Sequence, residues 1–114
     1  MTTTLFGVSH DAKNAAAAAT FWAAALGRDV APGATAESAS VTPSGDAAGG
    51  PLLTFHQVPE GKTVKNRLHL DLITSTFDEN LIRLEDLGAH AVATFDAWTT
   101  FQDPEGNEFD LIRG

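Results

Sequence analysis

Imidazole and carboxylate groups carry most of the chemical potential of this 114-residue chain, which has four histidines, fifteen Asp and Glu, and no cysteine. The missing cysteine removes disulfides, thiolate metal sites and cysteine nucleophiles together. In Arg67-Leu-His-Leu-Asp-Leu-Ile73 polar and apolar residues alternate strictly. On a strand, alternate side chains point to opposite faces, so Arg67, His69 and Asp71 share one face and Leu68, Leu70 and Leu72 the other. The same rule sets Glu108 and Asp110 against Phe109 and Leu111, and Thr54 and His56 against Leu53 and Phe55. In residues 4–9 it sets Gly7 and Ser9 against Phe6 and Val8. A histidine held near a carboxylate is fixed in one tautomer or protonated, which prepares it for ligand binding or proton transfer. His69 with Asp71 or Asp110 is therefore a candidate acid–base pair. The plainer reading is a sheet with its polar face in water. Two stretches of chain that each supply such strands favour a cavity lined by the polar faces.

Other reactive types are weaker candidates. His10 and Asp11 are adjacent, so on a strand they point opposite ways, and a surface or capping role is expected. His90 reads as a surface residue. Trp98 precedes a strand and either lines a pocket or packs in the core. Lys62, Lys65 and Arg67 either meet an anionic substrate or pair with Asp71 and nearby acids; the excess of acid favours pairing. No glycine-rich phosphate loop, serine-nucleophile motif or zinc-protease motif occurs.

The elements that must position these residues follow from local pattern. Strands are expected at 4–9, 52–58, 67–73, 89–95, 97–102 and 108–112, with weak ones near 28–31 and 37–42. Residues 14–26 are rich in alanine, the best helix former, with Asn14 as N-cap and Gly27 just past the end. A second helix is expected over 77–87, with Leu81, Leu84 and Leu87 on one face and Gly88 as cap. Pro43 to Gly50 is a loop by composition, and Asp103-Pro-Glu-Gly106 a turn. The order repeats: strand, helix, Leu-Gly cap, then a later strand carrying Phe55 or Phe109. The spacing from Gly7 to Gly27 nearly equals that from His69 to Gly88. The extra length of the first half falls at the 43–50 loop. A duplicated unit is the better reading, with module one over about 1–58 and module two over about 67–114.

The length suits one domain. With 43% hydrophobic and 19% charged residues the chain reads as globular. A net charge of −8 repels phosphate backbones, so nucleic acid is not an expected partner. No apolar run is long enough to span a membrane and no signal peptide is evident, so a cytoplasmic location is expected.

Phe21-Trp22 followed by Leu26-Gly27 resembles the Phe-Tyr/Trp…Leu-Gly signature on the first helix of glyoxalase-like domains. Val58-Pro-Glu-Gly-Lys62 leading to Lys65-Asn-Arg-Leu-His-Leu-Asp-Leu72 is similar to the join between halves in one branch of that family. Leu84-Glu-Asp-Leu-Gly-Ala89 looks like its second helix end, and Asp103-Pro-Glu-Gly-Asn-Glu-Phe109 like its penultimate turn. The resemblance covers residues 5–112 and points to the vicinal oxygen chelate superfamily, which takes in glyoxalases, bleomycin-resistance proteins and dioxygenases. It implies an α+β fold of two βαβββ modules forming a curved, cupped mixed sheet, with helices on the convex side. It implies four positions facing the cup in metal-using members. His69 falls on the third and Asp110 on the fourth, where glutamate is usual. Gly7 falls on the first, a departure because glycine offers no ligand atom. His56 falls on the second if Phe55 matches Phe109.

His56, His69 and Asp110 would together offer two imidazoles and a carboxylate, a set suited to a divalent metal such as Zn, Fe, Ni or Mn. The blander alternative is an organic-ligand pocket lined by His69 with Asp71 or Asp110, and by His56, Arg67 and Trp98. Two functions stay open: a lyase or isomerase using His69 and Asp110, or a non-catalytic protein that sequesters a small organic molecule such as a drug or antibiotic. The resemblance also implies a homodimer.

Overall fold

The computed structural model describes residues 2–43 and 50–114; most of the expected loop at 43–50 lies outside the described residues. The element order is β1 (Gly7–Ala12), α1 (Ala15–Leu26), β2 (Ser38–Val41), β3 (Leu52–Gln57), β4 (Leu70–Thr74), α2 (Phe77–Asp86), β5 (His90–Thr94), β6 (Trp98–Gln102) and β7 (Glu108–Arg113). The chain divides into two compact units, one ending at Gly61 and the other beginning at Lys62. The expected α+β class is observed, with one mixed sheet and one helix per unit.

In the first unit the strand order is β1-β3-β2. β1 runs parallel to β3, with His10 opposite Phe55, and β2 is antiparallel to β3. A strand expected near 28–31 is reduced to one bridge, Val30 to Val41. Pro32 follows at once and has no N–H for a ladder, so the pairing stops there. α1 begins as its sequence predicts: the Asn14 side chain accepts from the Ala17 N–H at 3.0 Å. It ends at Gly27, left-handed at φ 64°. Its small alanines let the helix approach the sheet closely. Trp22, Phe55, Val41 and Leu53 are buried between them.

β1 starts three residues later than expected. Phe6 is 80% exposed, and the inward face is carried by Val8, His10 and Ala12 instead. His10 is thus not a surface residue: its ring stacks on Phe55 at 4.9 Å and lies 6.0 Å from Trp22. Gly7 has a packing reason of its own. A Cβ there would lie 2.8 Å from the Leu52 carbonyl oxygen across the parallel pair.

In the second unit the order is β4-β7-β6-β5, with β4 parallel to β7 and the other pairs antiparallel. Phe101 and Phe109 stack at 5.4 Å and are buried with Leu111, Leu84 and Phe77. The Arg113 guanidinium lies 4.1 Å from the centre of the Phe77 ring. Leu84 is the buried leucine of α2, while Leu87 is partly exposed, so the helix rests on a narrower stripe than its leucine spacing predicts.

The strand expected over 67–73 begins only at Leu70, and Leu68, assigned to the apolar face by alternation, is 81% exposed. The cause lies in Glu108. Its carboxylate accepts the Asn66 backbone N–H at 2.7 Å and the Lys62 ammonium at 2.6 Å. Those bonds tie the incoming segment to the start of β7, so the Asn66 amide is spent on a side chain rather than on a ladder.

The close approach at Gly7 gives a test. Gly7→Ala must push the parallel strands apart and should destabilise the protein by about 1–3 kcal/mol. Chemical denaturation of the variant reads this; an unchanged midpoint would show that the strands separate freely.

Candidate functional site

Each unit has a sheet face turned away from its helix. In the first unit the strand registers set Ser9 opposite Thr54 and Thr54 opposite Ser40. Ser9 Oγ and Thr54 Oγ1 are 2.8 Å apart. The next row holds Asp11, His56 and Ser38, with His56 in the middle and exposed.

The second unit gathers more chemistry. Asp71 lies opposite Asp110, and Asp110 opposite Thr100. The Thr100 hydroxyl donates to Asp110 Oδ1 at 2.6 Å, and the Asp71 and Asp110 carboxyls stand side by side across the parallel pair. One step along the sheet, Ile73, Ile112 and Trp98 form the adjacent row. Trp98 owes its place to the β5–β6 hairpin. The Phe95 N–H donates to the Trp98 carbonyl at 2.8 Å, and this tight turn stacks the two rings at 4.4 Å.

Two carboxyls side by side perturb each other. Loss of water raises the proton affinity of Asp71 above the ordinary value of 3.8; the hydrogen bond to Asp110 and the negative charge of Asp110 raise it further. The nearby charge of His69 opposes the shift. Glu108 goes the other way. Burial pushes its affinity up, but the Asn66 amide and the Lys62 ammonium outweigh burial and hold it below the usual range. Glu108 is thus a structural pin.

The sequence-derived candidates are distributed as follows. Asp71, Asp110 and Trp98 lie on one face of the second sheet, and His69 sits just before β4, near enough for its charge to act on Asp71. Arg67 lies in the bend that precedes it. His56 belongs to the first unit. Thr100 was missed; its signal was the alternation Trp98-Thr-Thr-Phe-Gln102, which sets Thr100 opposite the buried Phe101. Glu108 was missed as a clamp, since no local pattern announces a bond to a segment over forty residues away.

The registers also correct the internal repeat. His10 stands opposite Phe55, whereas Leu70 stands opposite Phe109. Matching Phe55 to Phe109 therefore makes Ser9, not Gly7, the counterpart of His69. Matching Gly7 to His69 by their equal distance from the helix starts makes Thr54, not His56, the counterpart of Asp110. The second frame sets the row Ser9–Thr54–Ser40 level with Asp71–Asp110–Thr100.

A divalent metal needs three or more suitable ligands from the protein in such a site. Among the described residues no three His, Asp or Glu side chains gather into a group that could hold one. Within the second unit taken by itself, His69, Asp71 and Asp110 do not make such a group.

A mixed sheet with parallel first and last strands and a helix on one face, built twice along the chain, defines a paired-module α+β protein. The chain belongs to the glyoxalase-like domain family, whose model matches residues 7–112. Among solved structures it is similar to FosX, a fosfomycin resistance protein from Listeria monocytogenes, in a complex with manganese(II) and dihydroxypropylphosphonic acid. That likeness has a TM-score of 0.78 at 13% identity over 100% of this chain and 92% of that one. FosX from Mesorhizobium loti gives 0.75 at 14% identity, over 100% and 94% of the two chains. TioX from Micromonospora sp. ML1 gives 0.63 at 17% identity, over 97% and 98%. At these identities the likeness shows the fold alone. No curated protein matches in sequence. Among the described residues, no helix is long and apolar enough to cross a membrane.

The Asp71 shift has a sign. A raised folded-state affinity stabilises the fold below the unfolded value of 3.8, and that contribution is lost as pH rises through the folded value. At neutral pH the pair therefore works against folding. Asp71→Asn should raise the melting temperature at pH 7, with the gain fading as pH falls below 4. A gain that grows toward low pH would contradict this account.

Proposed function

We propose that the protein binds a small organic molecule against the outward face of the second sheet. Asp71, Asp110 and Thr100 supply the polar contacts, and Trp98 supplies an aromatic wall. One observation carries the reading: the carboxyl pair and the exposed Trp98 occupy adjacent rows of a single sheet face. Polar groups converging beside apolar surface are the usual makings of an organic-ligand site. FosX, with its phosphonic acid ligand, lends support by fold.

Within this reading His69 and Asp110 are the acid–base candidates, and Arg67 stands at the approach to the face. His56, in its row with Asp11 and Ser38, is a separate ligand-binding candidate on the first unit's own sheet face. Lyase or isomerase chemistry is favoured by placement: His69 directly precedes β4 in the segment that carries Asp71, which brings an imidazole and a carboxyl to one strand end, as proton transfer requires. Sequestration without catalysis needs only the face itself. Absence of cysteine suits a cytoplasmic setting.

A thermal-shift screen of small organic compounds tests the proposal. At ligand one hundred times above its Kd, binding stabilises by about 2.7 kcal/mol, a shift of several degrees. His69→Ala should keep the native melting temperature and lose the ligand-induced shift. Unfolding of that variant, with no compound shifting the native protein, would make the histidine structural.

Association into a homodimer is part of the same proposal. β1 and β4 are the outer strands of their own sheets. Leu5, Phe6 and Leu68, which lead into them, are exposed. Outer strands flanked by exposed apolar side chains favour pairing with another chain. Light scattering at micromolar concentration should give twice the 12.0 kDa chain mass. A monomer throughout would refute it.

A further inference from the structure

The outward face of the second sheet falls into three rows. Ile73, Ile112 and Trp98 lie level across β4, β7 and β6; Asp71, Asp110 and Thr100 lie next to them; Glu108, Gln102 and His90 lie beyond. The first row is apolar and open to water. Ile73 is 72% exposed and Trp98 37%, and the Phe95 ring extends the tryptophan surface by stacking on it. The second row holds two carboxyls. Two cations of this unit are engaged elsewhere: Lys62 with Glu108, and Arg113 over the Phe77 ring on the opposite face.

An occupant that covers the first row must be flat and apolar to match isoleucine and stacked rings. It then lies roughly one residue pair, about 7 Å, along the strands from the carboxyl row. A positive centre at that edge is attracted by both carboxylates, and a negative one is repelled by both. The Trp98 face adds cation–π attraction for the same sign of charge. We infer that this face takes a flat aromatic molecule bearing a positive nitrogen, its ring against Trp98 and Phe95 and its charge toward Asp71 and Asp110. The inference rests on the reading of this face as the ligand site, and names its substrate class.

N-methylacridinium and acridine-9-carboxylate are equally flat and opposite in charge. The acridine's own fluorescence provides the readout, because it survives the replacement of Trp98. Each is held at fixed concentration and titrated with the full chain at low salt, following the compound's fluorescence anisotropy. The cation should bind at least tenfold more tightly than the anion. Asp71→Asn combined with Asp110→Asn should bring the two within about twofold, and Trp98→Ala should weaken both. Equal binding to the native chain, lost for both compounds in Trp98→Ala, overturns the charge preference and leaves the ligand face standing. A cation preference that survives the double substitution overturns the assignment to this carboxyl pair, since net charge alone then explains it. Binding of neither compound, or binding undiminished in Trp98→Ala, overturns this inference and the ligand face together.

Discussion

The parallel pairing of β4 with β7 governs the second unit. It joins strands far apart in sequence, which parallel neighbours require, with α2 and the β5–β6 hairpin filling the crossover. Its register has two consequences at once. On the inner face Leu70 meets Phe109 and Leu72 meets Leu111, so the apolar stripe closes under α2. On the outer face the same register leaves Asp71 no choice but to stand beside Asp110. A shift by one residue would turn every side chain over and expose Phe109. The carboxyl pair is therefore held in place by burial of Phe109 and Leu111 on the other side of the strand, at the cost of like charges in contact.

Glu108 fixes where that pairing begins. A buried carboxylate is unfavourable unless it is well bonded, and this one accepts both an amide and an ammonium from the segment that leads into β4. The clamp ends the ladder at Leu70. It leaves His69 in the approach to the strand rather than on it, within electrostatic range of Asp71. The residue that looks most like a catalytic base by alternation is thus positioned by bonds that its segment makes to Glu108, a residue remote in sequence.

The first unit repeats the parallel pairing with milder chemistry. Its register puts serine and threonine where the second unit has carboxyls, and Gly7 where a side chain would collide with the Leu52 carbonyl. The two units share a backbone plan of parallel pairing, while their outer faces carry different side chains. The hydroxyl row satisfies itself by a Ser9–Thr54 hydrogen bond. The carboxyl row, carrying charge beside exposed aromatic surface, has more to gain from a ligand.

Local pattern determined a good deal by itself. The alanine run with Asn14 and Gly27 fixes α1, because cap and propensity act over a few residues. Alternation fixes the faces of β3, β6 and β7, because a strand's side-chain period holds wherever the strand forms. The signature motifs were enough to identify the glyoxalase-like family. Tertiary structure decided the rest. Where β4 begins depends on Glu108, a remote partner that no local window contains. Which positions of the two halves correspond depends on strand register, and a spacing count cannot see a two-residue slip. That Asp71 meets Asp110, and Trp98 meets Phe95 beside them, follows from one parallel pairing and one tight hairpin, both set by what the buried face needed to close.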